Sequence, residues 1–178
     1  MSEAGFSLFM NIVAGIEIFM YAVCMTFFFY PFMTEKKEQR KSRLKKVLMV
    51  FLIYTVMCFV NMAASVYGWL CMIIVIILLA AASKFLDMNR EFTFFLGVLF
   101  FSIKNLSALI MRSISYFLGK NLEHRAETAE NVFANAAWNY VFVAVLQLIL
   151  FSVMLYAVVR LLKKKTMKLH IKELCYLL

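Results

Sequence analysis

The chain predicts an all-α fold, a polytopic transmembrane helix bundle of five spans plus the start of a sixth, with its N-terminus outside. Two observations carry this expectation. The first is composition: 65% of the 178 residues are hydrophobic, with a single proline, and the mean hydropathy is +0.85. Soluble domains hold about 45–50% apolar residues, and a core of this size cannot use such an excess, whereas a bilayer can. The second is charge placement. Most of the 19 Lys and Arg lie in three short segments that alternate with apolar runs of the ~20 residues needed to span hydrocarbon.

The first run, Phe6 to Phe32, is interrupted by Asn11, Gly15 and Glu17, and Pro31 marks its exit. The N-terminal Met1-Ser2-Glu3-Ala4 lacks the basic n-region of a secretory signal, so the run is expected to be a retained helix. Lys36, Lys37, Arg40, Lys41, Arg43, Lys45 and Lys46 follow it. Cytoplasmic loops carry an excess of Lys and Arg, which places this segment inside. The apolar stretch from Val47 to Ala82 would run about 54 Å as one helix, against a hydrocarbon core of ~30 Å. It therefore predicts two spans, with a turn at Gly68 flanked by the interfacial aromatics Tyr67 and Trp69.

The third span runs from Trp69 to about Leu86, and Lys84 can snorkel inward. Asp87 to Glu91 forms a compact inner loop. The fourth run, Phe92 to Leu118, carries Lys104, Asn105 and Arg112, and the net acidic segment Gly119 to Asn135 is expected outside. The fifth run, Ala136 to Leu162, begins with Trp138, Asn139 and Tyr140 and ends in Lys163, Lys164 and Lys165. Beyond it, Leu174-Cys175-Tyr176-Leu177-Leu178 reads as the first turn of a sixth helix. The expectation is one membrane domain, residues 1–178, truncated before that helix and a cytoplasmic domain. Its location is the cell membrane, multi-pass, with a cytoplasmic C-terminus.

The net charge of +9 does not require nucleic acid, because attraction to anionic inner-leaflet lipids accounts for flanking positives. Cys24, Cys58, Cys71 and Cys175 show no C-x-x-C or Cys/His spacing, which argues against a metal site or disulfide framework. His124 and His170 have no partner acid at defined spacing. No phosphate-binding glycine loop, G-x-S-x-G or H-E-x-x-H is present. Neither catalysis nor a cofactor within the chain is expected.

Ionisable groups inside a span cost roughly 2.5–3.5 kcal/mol each and are functional suspects. Glu17 lies about 17 Å below Phe6 and Lys104 about 18 Å above Phe92, so both fall near the midplane of a ~30 Å core. A Glu17–Lys104 ion pair between the first and fourth helices is the simplest way to bury both, serving structure alone or gating and binding as well. Lys104, Asn105, Arg112 and Ser115 fall on one face of the fourth helix, as Glu17, Tyr21 and Cys24 do on the first. Two facing stripes opening toward Arg112 predict a small pocket for an anionic group or a carbonyl.

The layout resembles the N-terminal membrane sensor region of bacterial GHKL-type sensor histidine kinases, the group that includes peptide-pheromone receptor kinases. The shared features are an outside N-terminus, closely spaced helices with short loops and a basic inner segment. Locally, Lys168-Leu169-His170-Ile171-Lys172-Glu173-Leu174-Cys175-Tyr176-Leu177-Leu178 is similar to the approach to the last membrane helix of clostridial members. The resemblance implies a homodimeric receptor for an extracellular small peptide or small molecule, with a response regulator downstream. ATP and Mg would enter only with a following kinase domain. Output would pass through Arg160, Lys163, Lys164 and Lys165, while His170, followed by Ile171, is not the phosphoacceptor. The alternatives are a substrate-binding membrane subunit of a vitamin-type transporter, a membrane scaffold, and a membrane enzyme.

Overall fold

The computed structural model describes residues 3–33, 40–64, 68–119 and 129–164. Five α-helices account for nearly all of them: α1 (Glu3–Phe29), α2 (Arg40–Ala64), α3 (Gly68–Ala81), α4 (Arg90–Gly119) and α5 (Ala129–Lys164). Short 3-10 turns, Tyr30–Phe32 and Ala82–Lys84, extend α1 and α3. No strand occurs among the described residues.

Each helix packs on its neighbour in sequence, and α5 closes back onto α1, giving a ring in chain order. The contacting residues fix the directions. Glu17–Tyr140, Tyr21–Gln147 and Cys24–Ser152 advance together along α1 and α5, so these helices are parallel. Phe19–Phe51 and Tyr30–Arg43 run in opposite senses on α1 and α2, as do Phe28–Phe100 and Phe32–Phe92 on α1 and α4. Asn105–Met72 and the approach of Gly97 to Ile76 make α3 antiparallel to α4. The ring is therefore an up-down arrangement with α1, α3 and α5 pointing one way.

One consequence is that the basic residues converge. Lys46 of α2 forms an ion pair with Asp87 after α3, and Arg43 donates to Tyr30 Oη at the end of α1 (3.4 Å). These contacts gather the end of α1, the start of α2 and the α3–α4 connection at one end of the bundle. Arg160, near the C-terminal end of α5, belongs to the same end because α5 parallels α1. Trp69 and Trp138 lie near the opposite end, at the starts of α3 and α5.

The surface is inverted relative to a soluble protein. Large apolar side chains stand exposed on every helix, among them Leu8, Ile16, Leu48, Val56, Ile77, Phe94, Leu109, Phe142 and Val153. Apolar exposure on this scale marks a surface that meets lipid. Four helices, with spans Gly5–Phe32, Arg43–Ala63, Arg90–Tyr116 and Trp138–Leu162, are long and apolar enough to cross a membrane. The chain is thus an all-helical protein with the character of a membrane protein. The expected third span, Trp69 to about Leu86, falls on the apolar segment Gly68–Lys84, which is shorter than these four.

Inside the ring the core is aromatic. Phe100 of α4 meets Phe28 of α1 at 6.0 Å between centroids, Tyr54 of α2 at 6.1 Å and Phe151 of α5 at 5.2 Å. All four of these side chains are fully buried. The Tyr54 and Phe151 pairs are edge to face and the Phe28 pair is tilted; aromatic pairs of this kind are worth about 0.5–1.5 kcal/mol beyond area burial. On the other side of α4, a Cβ added at Gly97 would lie 3.2 Å from Ile76 Cγ1, so glycine sets the α3–α4 spacing.

The connection between α3 and α4 follows from local chemistry. Asp87 adopts φ 51°, the left-handed region that Asp tolerates better than most non-glycine residues. Met88 N donates to Ser83 O and Asp87 N to Lys84 O, the Schellman pattern with Asp in the usual glycine position. Asn89 then caps α4, accepting from Glu91 N at 3.3 Å. The expected turn at Gly68 differs: Gly68 is the first residue of α3, no described glycine has positive φ, and the preceding residues 65–67 lie outside the described set.

Candidate functional site

The fourth helix supplies the centre of the site because its inward stripe changes character midway. Leu96, Phe100 and Ile103 are buried apolar residues, and Lys104, Ser107, Met111 and Ser115 continue the same face. Ser107 Oγ returns to Lys104 O (2.8 Å), so it is satisfied within the helix. The half-buried Lys104 sends its ammonium into the ring of helices, where Nζ donates to Tyr54 Oη at 2.9 Å. The same nitrogen lies 4.2 Å from the centroid of Tyr21 and 5.6 Å from that of Tyr54. Tyr21 Oη in turn accepts from Gln147 Nε2 at 2.9 Å. One cation is thus held by a phenol and two ring faces contributed by α1 and α2, with α5 fixing one of the rings.

The expected Glu17–Lys104 ion pair does not form. Glu17 Oε2 instead accepts from Tyr140 Oη of α5 at 3.4 Å, and Lys104 has the aromatic partners just described. Helix order does not forbid the pair, since α4 touches α1 more than it touches α2; the difference lies in which side chain of α1 faces α4. Tyr21, one turn below Glu17, interposes its ring between α1 and the Lys104 ammonium. A quadrupole face close to a desolvated cation is worth about 2 kcal/mol, enough to replace an acid as the nearest neighbour.

The polar stripe expected on α4 divides. Lys104 and the half-buried Ser115 turn inward, while Asn105 and Arg112 are exposed. Asn105 Nδ2 reaches Met72 Sδ of α3 at 3.8 Å. Arg112 therefore flanks the site. Ser115 Oγ and, on α2, Thr55 Oγ1 and Asn61 Oδ1 are buried without a hydrogen-bond partner. Of these, Ser115 and Asn61 lie beyond Lys104 toward the end where α1 begins.

Two residues central to the site, Tyr54 and Gln147, were not singled out by the sequence. A signal existed for each. Tyr54, Cys58 and Asn61 form a polar stripe at helical spacing on α2, and Gln147 is the one amide within the middle of the fifth apolar run. Of the output residues, Arg160 is exposed, Lys163 and Lys164 belong to the last turn of α5, and Lys165 lies outside the described residues, as do His124 and His170. Among the described residues no three His, Cys, Asp or Glu gather in a way that could hold a metal ion. No protein-family model, curated protein or solved structure matches the chain.

Proposed function

We propose that the chain is the membrane-embedded sensor region of a receptor, with Lys104 as the group that meets an anionic or carbonyl-bearing ligand arriving from the non-basic end. One observation carries this reading. A mid-span ammonium with three donors gives one to Tyr54 and makes no ion pair among the described residues. A buried ionisable group in a span is a functional candidate by default. The orphaned Asn61 Oδ1 and Ser115 Oγ add polar capacity on the ligand's side.

The topology belongs to the same proposal. The segment Gly68–Lys84 rises about 26 Å, close to a ~30 Å core, so α3 serves as the fifth crossing. The basic end faces the cytoplasm by the positive-inside rule, which puts the start of α1 outside and the end of α5 inside. Parity then constrains output. A single further crossing, as expected from Leu174 to Leu178, would return the chain to the outside, so that expectation is revised: a cytoplasmic kinase domain would follow α5 directly or after two more crossings. A ligand shifts such a receptor only through its differential affinity for two helix arrangements, commonly worth ~1–3 kcal/mol.

The test joins a histidine-kinase catalytic core after residue 178 and challenges cells with spent culture medium. Phosphotransfer to a response regulator should rise in wild type, stay flat in Lys104→Met, and fall only partly in Arg112→Ala. A flat response in wild type would favour the transporter-subunit alternative. Cysteine labelling in intact cells separates that outcome from a wrong topology: Ser42→Cys should be protected and Thr128→Cys labelled by an impermeant reagent.

A further inference from the structure

We propose that Cys58 and Cys71 form a redox site, a dithiol that a lipid-soluble oxidant of the quinone class converts to a disulfide joining α2 to α3. The inference rests on the membrane character of the bundle and is independent of the sensor reading. Cys71 Sγ donates to Met57 O at 3.5 Å, the carbonyl of the peptide bond that leads into Cys58. The two thiols also interact directly with each other. Both are free cysteines, Cys58 half-buried and Cys71 buried. Cys24 stands apart, between α1 and α5, with Ser152 Oγ at 3.9 Å as its partner.

The helix packing suits a bridge. α2 and α3 are neighbours in the ring, and helices in contact lie about 8–10 Å apart with Cα atoms ~2.3 Å from each axis, so directly opposed Cα atoms approach to about 3.5–5.5 Å. That range overlaps the ~4.4–6.8 Å that a disulfide spans. Cys58 lies about 22 Å along α2 from Arg43, and Cys71 is the fourth residue of α3, so the pair stands toward the non-basic end. Phe59 and Ile73, close to the pair in sequence on the two helices, are exposed apolar side chains. A reagent reaches the thiols from hydrocarbon and must dissolve there.

Charge bookkeeping favours a redox reaction over a metal site. Both S–H bonds break, one S–S bond forms, and two electrons and two protons pass to the quinone, which leaves as the hydroquinone. Dithiol and disulfide are both neutral, so neither state places an ion in a low-dielectric interior, where ions are costly. A metal would require both sulfurs to be ionised. The reaction itself starts through a transient sulfur anion, and the Lys104 ammonium acts on both thiols to support it. Cys58 is one helical turn beyond Tyr54 and interacts with its hydroxyl, the same oxygen that accepts from Lys104 Nζ. Oxidation therefore fixes α2 against α3 beside the lysine.

The experiment holds the reduced full chain in phosphatidylcholine nanodiscs under argon, adds decylubiquinone, quenches with iodoacetamide in denaturant and maps the peptides by mass spectrometry. The ring of this quinone is fully substituted, so it oxidises thiols without arylating them. Wild type should yield a cross-link between Cys58 and Cys71 of one chain, with hydroquinone formed in equal amount, while Cys24 is alkylated. Cys24→Ser should leave the yield unchanged, and Cys58→Ser or Cys71→Ser should abolish hydroquinone formation. Lys104→Met should slow cross-linking about tenfold, and Lys104→Arg should restore most of the rate. A second wild-type measurement guards against misfolded variants: phenylarsine oxide, which condenses with two adjacent thiols and releases water, should bridge the same two cysteines and block the quinone. Alkylation of both cysteines after quinone treatment, cross-links between chains in place of the internal one, or an internal cross-link reached only with hydrogen peroxide would each overturn the proposal.

Discussion

Removing one oxygen at Tyr54 tests how the protein holds a cation in its interior. Tyr54→Phe keeps the ring, its stacking on Phe101 at 6.2 Å and its edge contact with Phe100, but deletes the acceptor 2.9 Å from Lys104 Nζ. Hydrogen bonds to charged groups contribute about 1.5–3 kcal/mol in soluble proteins. Between membrane helices, measured values average about 0.6 and reach about 1.7 kcal/mol. Because this donor is charged, the cost should lie near the top of the membrane range, about 1.5 kcal/mol.

Lys104→Met should be milder than Tyr54→Phe. It orphans the Tyr54 hydroxyl, a loss of about 1–3 kcal/mol, but it also relieves the desolvation of a charge, and apolar replacement of buried ionic groups is often neutral or stabilising. The double variant should recover most of the Tyr54→Phe loss, giving a coupling energy of about 1 kcal/mol between contacting residues. The assay is reversible unfolding in mixed micelles, followed by circular dichroism across the four-member cycle. A parallel cycle with Glu17→Gln should show weaker coupling to Lys104, since Glu17 contacts Tyr140. Strict additivity of Tyr54→Phe and Lys104→Met, or stronger coupling to Glu17 than to Tyr54, would refute the aromatic box as the holder of the charge.

Two further predictions concern the frame around the site. At Gly97, valine should destabilise the bundle by about 1–3 kcal/mol through overpacking against Ile76, and Ile76→Ala should rescue it; a neutral Gly97→Val would show that α3 moves freely against α4. At Asp87, alanine should cost more than glycine. Both remove the ion pair with Lys46, worth about 0–1 kcal/mol at an exposed site, but only alanine also carries the left-handed penalty of about 1–2 kcal/mol. Thermal unfolding in detergent measures the order, and equal costs would mean that the backbone at Asp87 relaxes.

Much of the frame was legible because it follows from patterns local to each segment. The basic segments between apolar runs marked the connections, and the structure brings Arg43, Lys46 and Arg160 to one end of the bundle as those patterns require. The α2–α3 boundary was legible from length alone, since one helix could not fit the stretch from Val47 to Ala82. Glu17, Tyr21 and Lys104 stood out by the energetic cost of placing polar groups among apolar ones. Helix boundaries were less visible: α2 begins at Arg40 within the basic segment, because Lys and Arg are themselves good helix formers.

The partners at the site were not legible, and the reason is physical. Depth along a helix can be computed from rise per residue, and depth is what proposed the Glu17–Lys104 pair. Lateral neighbours depend on ring order, which no single segment encodes. At similar depth Lys104 could face an acid on α1 or a phenol on α2, and the rotation of each helix within the ring settles the choice: Tyr21 and Tyr54 turn toward the ammonium, while Glu17 turns toward Tyr140 of α5. Aromatic side chains then span the middle, where Phe100, Tyr54, Tyr21 and Phe151 leave Lys104 at the polar edge of an otherwise apolar cluster. A carboxylate in contact would have neutralised that cation within the protein. Phenols and ring faces stabilise it without cancelling its charge, so Glu17, held by Tyr140, acts on Lys104 through space and not by contact.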